Sequence, residues 1–105
     1  MNEHSKLNTV DGTQVCVSQL KVLADATRLA VMRHLLEEPQ QVSDLRRRLD
    51  IEQSLLSHHL KVLREAGLVL DERVGKSVRY RLAPDVTVGP DDSTHLGCCR
   101  LSFDP

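Results

Sequence analysis

A chain of 105 residues is the length of one domain, and such a domain buries only about two-thirds of its unfolded surface, so a second copy would add to its stability. Tyr80 and Phe103 are its only aromatic residues, which argues against a base-stacking platform for single strands. No apolar run is long enough for a membrane span or a signal-peptide core, so the expected compartment is the cytoplasm. The net charge of −1 hides an uneven distribution. Residues 21–81 hold 12 Lys and Arg against 9 Asp and Glu, while both ends are acidic, so the middle of the chain is the part suited to a polyanion.

Residues 1–12 are polar and read as a flexible tail. From Gln14 to Ala24, Cys16, Leu20 and Leu23 recur at i, i+4 and i+7, one face of a helix. Asp25 is a cap for a second helix reaching about Glu37, with Leu29, Val31, Met32, Leu35 and Leu36 forming a broad buried stripe that Pro39 stops. A short helix over Val42–Leu49 follows, then a turn at Asp50 and Ile51. A fourth helix runs from about Glu52 to Ala66 and ends at Gly67, a left-handed C-cap. In LVLDERVGKSVRYRL, Val78, Tyr80 and Leu82 alternate with Ser77, Arg79 and Arg81, a strand with one basic face, and VGKS is a hairpin turn. Pro84, Gly89, Pro90 and the DDST cluster exclude a long helix beyond Leu82. The expected fold is mainly α with a small β-hairpin, a homodimeric winged helix-turn-helix, with residues 13–83 as the folded unit and 84–105 as a C-terminal tail.

The fourth helix has two faces. Leu56, Leu60 and Leu63 are apolar, whereas Gln53, Ser54, Ser57, His58 and Lys61 carry short donors and acceptors without the Glu–Lys pairs of a solvated helix. Gln pairs bidentately with adenine, Ser takes either role at a base edge, and Lys suits a phosphate.

KVLADATRLAVMRHL, VSDLRRRLDIEQSLLSHHLKVLREAGLV and GKSVRYRL together resemble the ArsR/SmtB family of metal-sensing bacterial repressors over roughly residues 18–83, with SHHLKVLREAGLV the most specific part. The resemblance implies a homodimer that holds double-stranded operator DNA and is released by an effector, and it implies no enzymatic activity. It carries base reading onto Gln53, Ser54, Ser57 and His58, and wing contacts onto Arg73, Lys76 and Arg79. His59 reads as a histidine packed beneath the wing. Of the run Arg46-Arg47-Arg48, most is expected to be solvated, with one side chain available to the DNA backbone.

The chain departs from the family at three places. Glu52 stands where Ser often caps the recognition helix. Gln41-Val42-Ser43 replaces the Cys-x-Cys of the arsenic and cadmium sensors. Residues 84–105 do not read as the long dimerisation helix that bears zinc ligands. Two adjacent thiols, Cys98 and Cys99, lie instead in the tail, and Cys16 is the third. Neighbouring Cα atoms about 3.8 Å apart are too close for a relaxed Cys98–Cys99 disulfide. Three thiolates suit As(III) or Sb(III). Cd(II), Pb(II), Cu(I) or Zn(II) are further candidates, for which His95 or water would add a ligand, and DNA binding itself needs no cofactor. Both tail thiols reach one ion only if the backbone bends at Gly97. A site within one chain and a site between two subunits both remain open, as do a redox role through a disulfide from Cys16 to the tail and a DNA-binding module with no effector, its cysteines serving only in packing.

Overall fold

The computed structural model describes residues 12–89 and 93–103. The expected N-terminal tail lies outside them, apart from Gly12, which opens the first helix. Helix α1 spans Gly12–Leu23 and α2 spans Ala26–Glu37. The Asp25 side chain accepts a hydrogen bond from the Arg28 amide at 3.0 Å, the N-cap expected from the sequence. A two-residue strand β1, Gln40–Gln41, leads directly into α3, Val42–Leu49. Asp50 makes the tight turn at φ +52, a left-handed position that Asp tolerates better than most side chains. Recognition helix α4 is Gln53–Glu65. It ends as a Schellman motif: the Leu68 amide donates to the Leu63 carbonyl (3.1 Å), the Gly67 amide donates to that of Arg64 (3.0 Å), and Gly67 sits at φ +78.

The wing pairs β2, Val69–Val74, with β3, Ser77–Leu82, in antiparallel register, Val69 opposite Leu82 and Val74 opposite Ser77. Gly75 takes positive φ at the first of the two central turn positions. Strand β1 adds to the free side of β3, Gln40 opposite Tyr80, so the sheet order is β1-β3-β2. The sequence offers no sign of β1: two glutamines carry no alternation, and the pairing is made by tertiary contact.

One core joins these elements. Val31, Met32 and Leu35 of α2, Leu45 of α3, and Leu56, Leu60 and Leu63 of α4 pack with Leu68, Val69 and Tyr80. Leu23 of α1 joins them, but Leu20 does not; it is 40% exposed beside exposed Val15 and Val17. Periodicity marked the α1 face correctly, yet half of that face points away from the chain's own core.

The tail is more ordered than its composition suggested. It contains no helix among the described residues, as expected, but it folds back as a second antiparallel sheet, β4 (Thr87–Val88), β5 (Thr94–His95) and β6 (Arg100–Leu101), in that spatial order. Val86 and Leu96 are buried in the common core, and Cys99 and Leu101 pack against it. The Arg33 guanidinium of α2 lies over the Phe103 ring, 5.0 Å from its centre.

Candidate functional site

Two sites emerge. The first is on α4, where the apolar stripe fixes everything else. Leu56, Leu60 and Leu63 are essentially fully buried, which turns Gln53, Ser54, Ser57, His58 and Lys61 outward, all exposed. The Ser54 hydroxyl is already engaged, donating to Glu52 at 2.8 Å, and Glu52 makes no side-chain cap to α4. The first-turn amides of α4 therefore have no side-chain acceptor at the cap and face outward with the dipole.

His59 is buried, as expected, but its partners are at the start of α2. Its Nδ1 is 3.1 Å from Arg28 Nη1 and 4.0 Å from the Asp25 carboxylate. A guanidinium can only donate, so Nδ1 accepts and the ring proton is on Nε2. Arg28 also donates to the Val22 carbonyl at the end of α1, and thereby joins α1, α2 and the recognition helix at one point. The Asp25 carboxyl is held below the usual carboxylate range by the Arg28 amide bonded to it. The Arg28 guanidinium charge acts in the same direction, and partial desolvation opposes it.

Between α3, α4 and the wing lies a cleft of about 600 Å³ walled by Arg46, Gln53, Ser57, Lys61, Arg64 and the wing residues Ser77, Val78 and Tyr80. Arg73 and Lys76 are exposed near the wing tip. Arg79 is differently placed: it lies directly opposite Glu72 across the wing and donates to it through Nε (2.9 Å) and Nη2 (2.6 Å). The arginine run is likewise sorted. Arg47 pairs with Asp44, Arg48 lies 4.0 Å from Glu37, and Arg46 lines the cleft.

The second site is made of sulfur. Leu96 and Cys99 pair across a hairpin, the Leu96 amide donating to the Cys99 carbonyl at 2.9 Å, with Gly97 and Cys98 as the two central residues. Gly97 takes φ +94, which an L side chain rarely adopts. This is the bend that both tail thiols require. It turns Cys99 inward against the core and leaves Cys98 exposed at the tip, with both sulfurs beside Cys16 on α1. The Cys16, Cys98 and Cys99 sulfurs of one chain all lie within 4.8 Å of one another. Cys16 and Cys98 are joined as a disulfide, Cα–Cα 5.7 Å, and Cys99 is a free thiol. The arrangement within one chain is thus the one the structure contains. His95 stands outside the group, its Nε2 3.5 Å from the Ser93 hydroxyl. With metal–sulfur bonds of about 2.3 Å, sulfurs sharing one ion lie roughly 3.5–4.5 Å apart. Reduced, the three thiols are soft donors close enough together to share a single ion.

Residues 25–70 match the family described as bacterial regulatory protein, arsR family. Reduced HlyU from Vibrio cholerae aligns with a TM-score of 0.67 at 34% identity, over 79% of this chain and 82% of that one. The chain belongs to the ArsR family. Other members include the arsenical resistance operon repressor of Escherichia coli, 45% identical over 71 residues, which is 67% of this chain and 61% of the relative. The transcriptional regulator NmtR of Mycobacterium tuberculosis is 43% identical over 65 residues, 62% of this chain and 54% of that protein. The ArsR-family chain thus spans less than two-thirds of the length of either relative. Both are regulators of transcription by name, and no helix among the described residues of this member is long and apolar enough to cross a membrane.

Proposed function

We propose that this ArsR-family protein is a homodimeric, DNA-binding transcriptional repressor that a thiophilic metalloid, arsenite or antimonite, releases from its operator by binding Cys16, Cys98 and Cys99. The observation that carries the reading is the convergence of all three thiols of the chain within 4.8 Å, although 82 positions separate Cys16 from Cys98. Three soft donors with no carboxylate or imidazole among them favour a thiophilic ion over Zn(II), which takes four ligands in structural sites. Arsenous acid binds by condensation: three thiols replace three hydroxyls and three waters leave, with no change of oxidation state. The Cys16–Cys98 bond must be reduced before this happens. The arsenical repressor among the relatives supports the choice of ion.

Gln53, Ser54, Ser57 and His58 read base edges, and Lys61, Arg73, Lys76 and Arg79 meet phosphates or the minor groove. The dimer forms through α1, whose Val15, Val17 and Leu20 are apolar and exposed. Arg28 supplies the physical connection from α1, which carries Cys16, to His59 in the recognition helix.

The disulfide favours a second reading, in which the same thiols sense oxidants or reactive sulfur through Cys16 and Cys98. One experiment separates the two. Reduced, anaerobic protein is titrated onto duplex DNA from the promoter of its own gene at fixed salt, with arsenite, cadmium, zinc or peroxide added in turn. The metalloid reading expects release by arsenite in the parent and none in the Cys98→Ser, Cys99→Ser double variant. Release by peroxide alone sinks it in favour of the redox reading. Indifference to every titrant removes both.

A further inference from the structure

The cleft between α3, α4 and the wing has a charge pattern that its shape alone does not require. Three cations line it, Arg46, Lys61 and Arg64, against one carboxylate, Asp71. Ser43 and Ser77 share its walls and bring hydroxyls there. Arg64 is bound to Asp71, Nη1 to Oδ2 at 3.3 Å, with both side chains about 40% exposed. Arg46 has no ion pair among the described residues, whereas its neighbours Arg47 and Arg48 are each matched to an acid away from the cleft, on α3 and α2. The charge of Asp71 is felt inside the cleft as well. Tyr80, directly opposite it across the wing, has its hydroxyl pushed above the usual phenol range by burial first and by Asp71 second.

We infer that this cleft seats the phosphodiester backbone of duplex DNA, that Arg46 and Arg64 contact phosphate beside Lys61, and that Asp71 is an internal counter-ion which DNA displaces from Arg64. The inference rests on the DNA-binding reading above and adds to it two contacts and one competitor. Several features agree. Guanidinium forks match phosphate oxygens bidentately, and flanking hydroxyls complete such contacts. An exposed Arg–Asp pair is weak, so a phosphate can replace the carboxylate at small cost. Until it does, Asp71 holds the Arg64 side chain in the cleft and keeps one positive charge masked. Asp71 thereby sets the affinity of the free protein for DNA of any sequence, separately from the base-reading positions.

The test is duplex binding by fluorescence anisotropy over a range of salt concentrations, with reduced full-length protein. Removing one cation from a phosphate makes the slope of log K against log salt shallower by about 0.9. Arg46→Gln and Arg64→Gln are expected to weaken binding equally on operator and unrelated duplexes, each reducing the slope by about 1.8 because both protomers of the dimer lose the contact. Arg47→Gln is expected to leave affinity and slope unchanged. Asp71→Asn is expected to tighten binding several-fold, and to do nothing when Arg64→Gln is already present. Thermal melts of each variant check that the fold is intact. Unchanged slopes in Arg46→Gln and Arg64→Gln overturn the seat. An equal weakening in Arg47→Gln shows only a general charge effect and overturns it too. Tightening by Asp71→Asn that survives Arg64→Gln, or weakening by Asp71→Asn alone, overturns the counter-ion. A parent that binds no duplex in a salt-dependent way defeats the DNA-binding reading itself, a result distinct from all of these.

Discussion

Reducing the bond between Cys16 and Cys98 is expected to destabilise the protein strongly, and the size of the effect follows from where the two residues lie. They are separated by 82 positions, so the bond closes a loop that holds nearly the whole folded unit. Constraining the unfolded chain over a loop of that length is worth about 4.5 kcal/mol at room temperature in the chain-entropy description. A small domain with a urea m-value of about 2 kcal/mol per M would then lose about 2 M in its unfolding midpoint. The assay is urea unfolding, followed by circular dichroism, of the oxidised and fully reduced forms of the parent and of two single variants. Cys98→Ser should unfold at the midpoint of the reduced parent under both conditions. Cys99→Ser should keep the full difference between oxidised and reduced protein, because Cys99 is outside the bond. Coincident midpoints for the oxidised and reduced parent would refute the pairing. Loss of the difference in Cys99→Ser, with retention in Cys98→Ser, would assign the bond to the other tail thiol.

Three further outcomes are expected. Gly97→Ala meets no atom within 4 Å, so its whole cost is the φ of +94, about 1–2 kcal/mol, and should lower the urea unfolding midpoint of the reduced protein by about 0.5–1 M. Asp25 has a folded pKa below its unfolded value, so its stabilising contribution is complete above about pH 4 and is lost as pH falls through the lower folded value; Asp25→Asn, which can still cap α2, should lower stability at pH 7 and flatten the acid side of the stability–pH curve, so that variant and parent converge at low pH. Leu63→Ala removes a fully buried side chain at the Schellman end of the recognition helix and should cost about 2–5 kcal/mol in urea unfolding, whereas Leu20→Ala, on the exposed half of α1, should cost far less in the monomer and act instead on the dissociation constant of the dimer.

Much of the winged helix-turn-helix unit is legible in the sequence because its signals are local. Pro39, the αL turn at Asp50 and Gly67 bound the helices, and the alternation from Val78 to Leu82 gives the wing. The leucine stripe of α4 dictates which side chains face outward. Other features depend on partners that no local pattern names. Strand β1 exists because β3 has a free edge beside it. The tail strands are two residues long, too short for any periodicity to register. The burial of His59 could be anticipated from its place beside Leu60, but its bond to Arg28, 31 positions earlier, could not. The α1 stripe shows the same limit, since spacing identifies a face and cannot say whether that face meets its own chain or another. For the thiols, residue types suggested a soft-ion site and Gly97 marked the bend. The packing of the tail hairpin against α1, which brings Cys16 beside the tail thiols of the same chain, is a tertiary contact that no local pattern names.

The central claim is that metalloid binding at the three thiols and DNA binding at the recognition helix oppose each other through one protein. Linkage makes that claim measurable from the thiol side. If arsenite lowers operator affinity by some factor, operator DNA must lower arsenite affinity by the same factor, and about 5- to 150-fold is the usual range for such coupling. Arsenite should therefore be titrated calorimetrically into reduced protein, free and saturated with operator duplex. The account predicts weaker arsenite binding in the DNA complex, by the factor found when DNA is titrated with and without arsenite. Equal arsenite affinity in the two states would contradict it, however tightly the three thiols hold the ion.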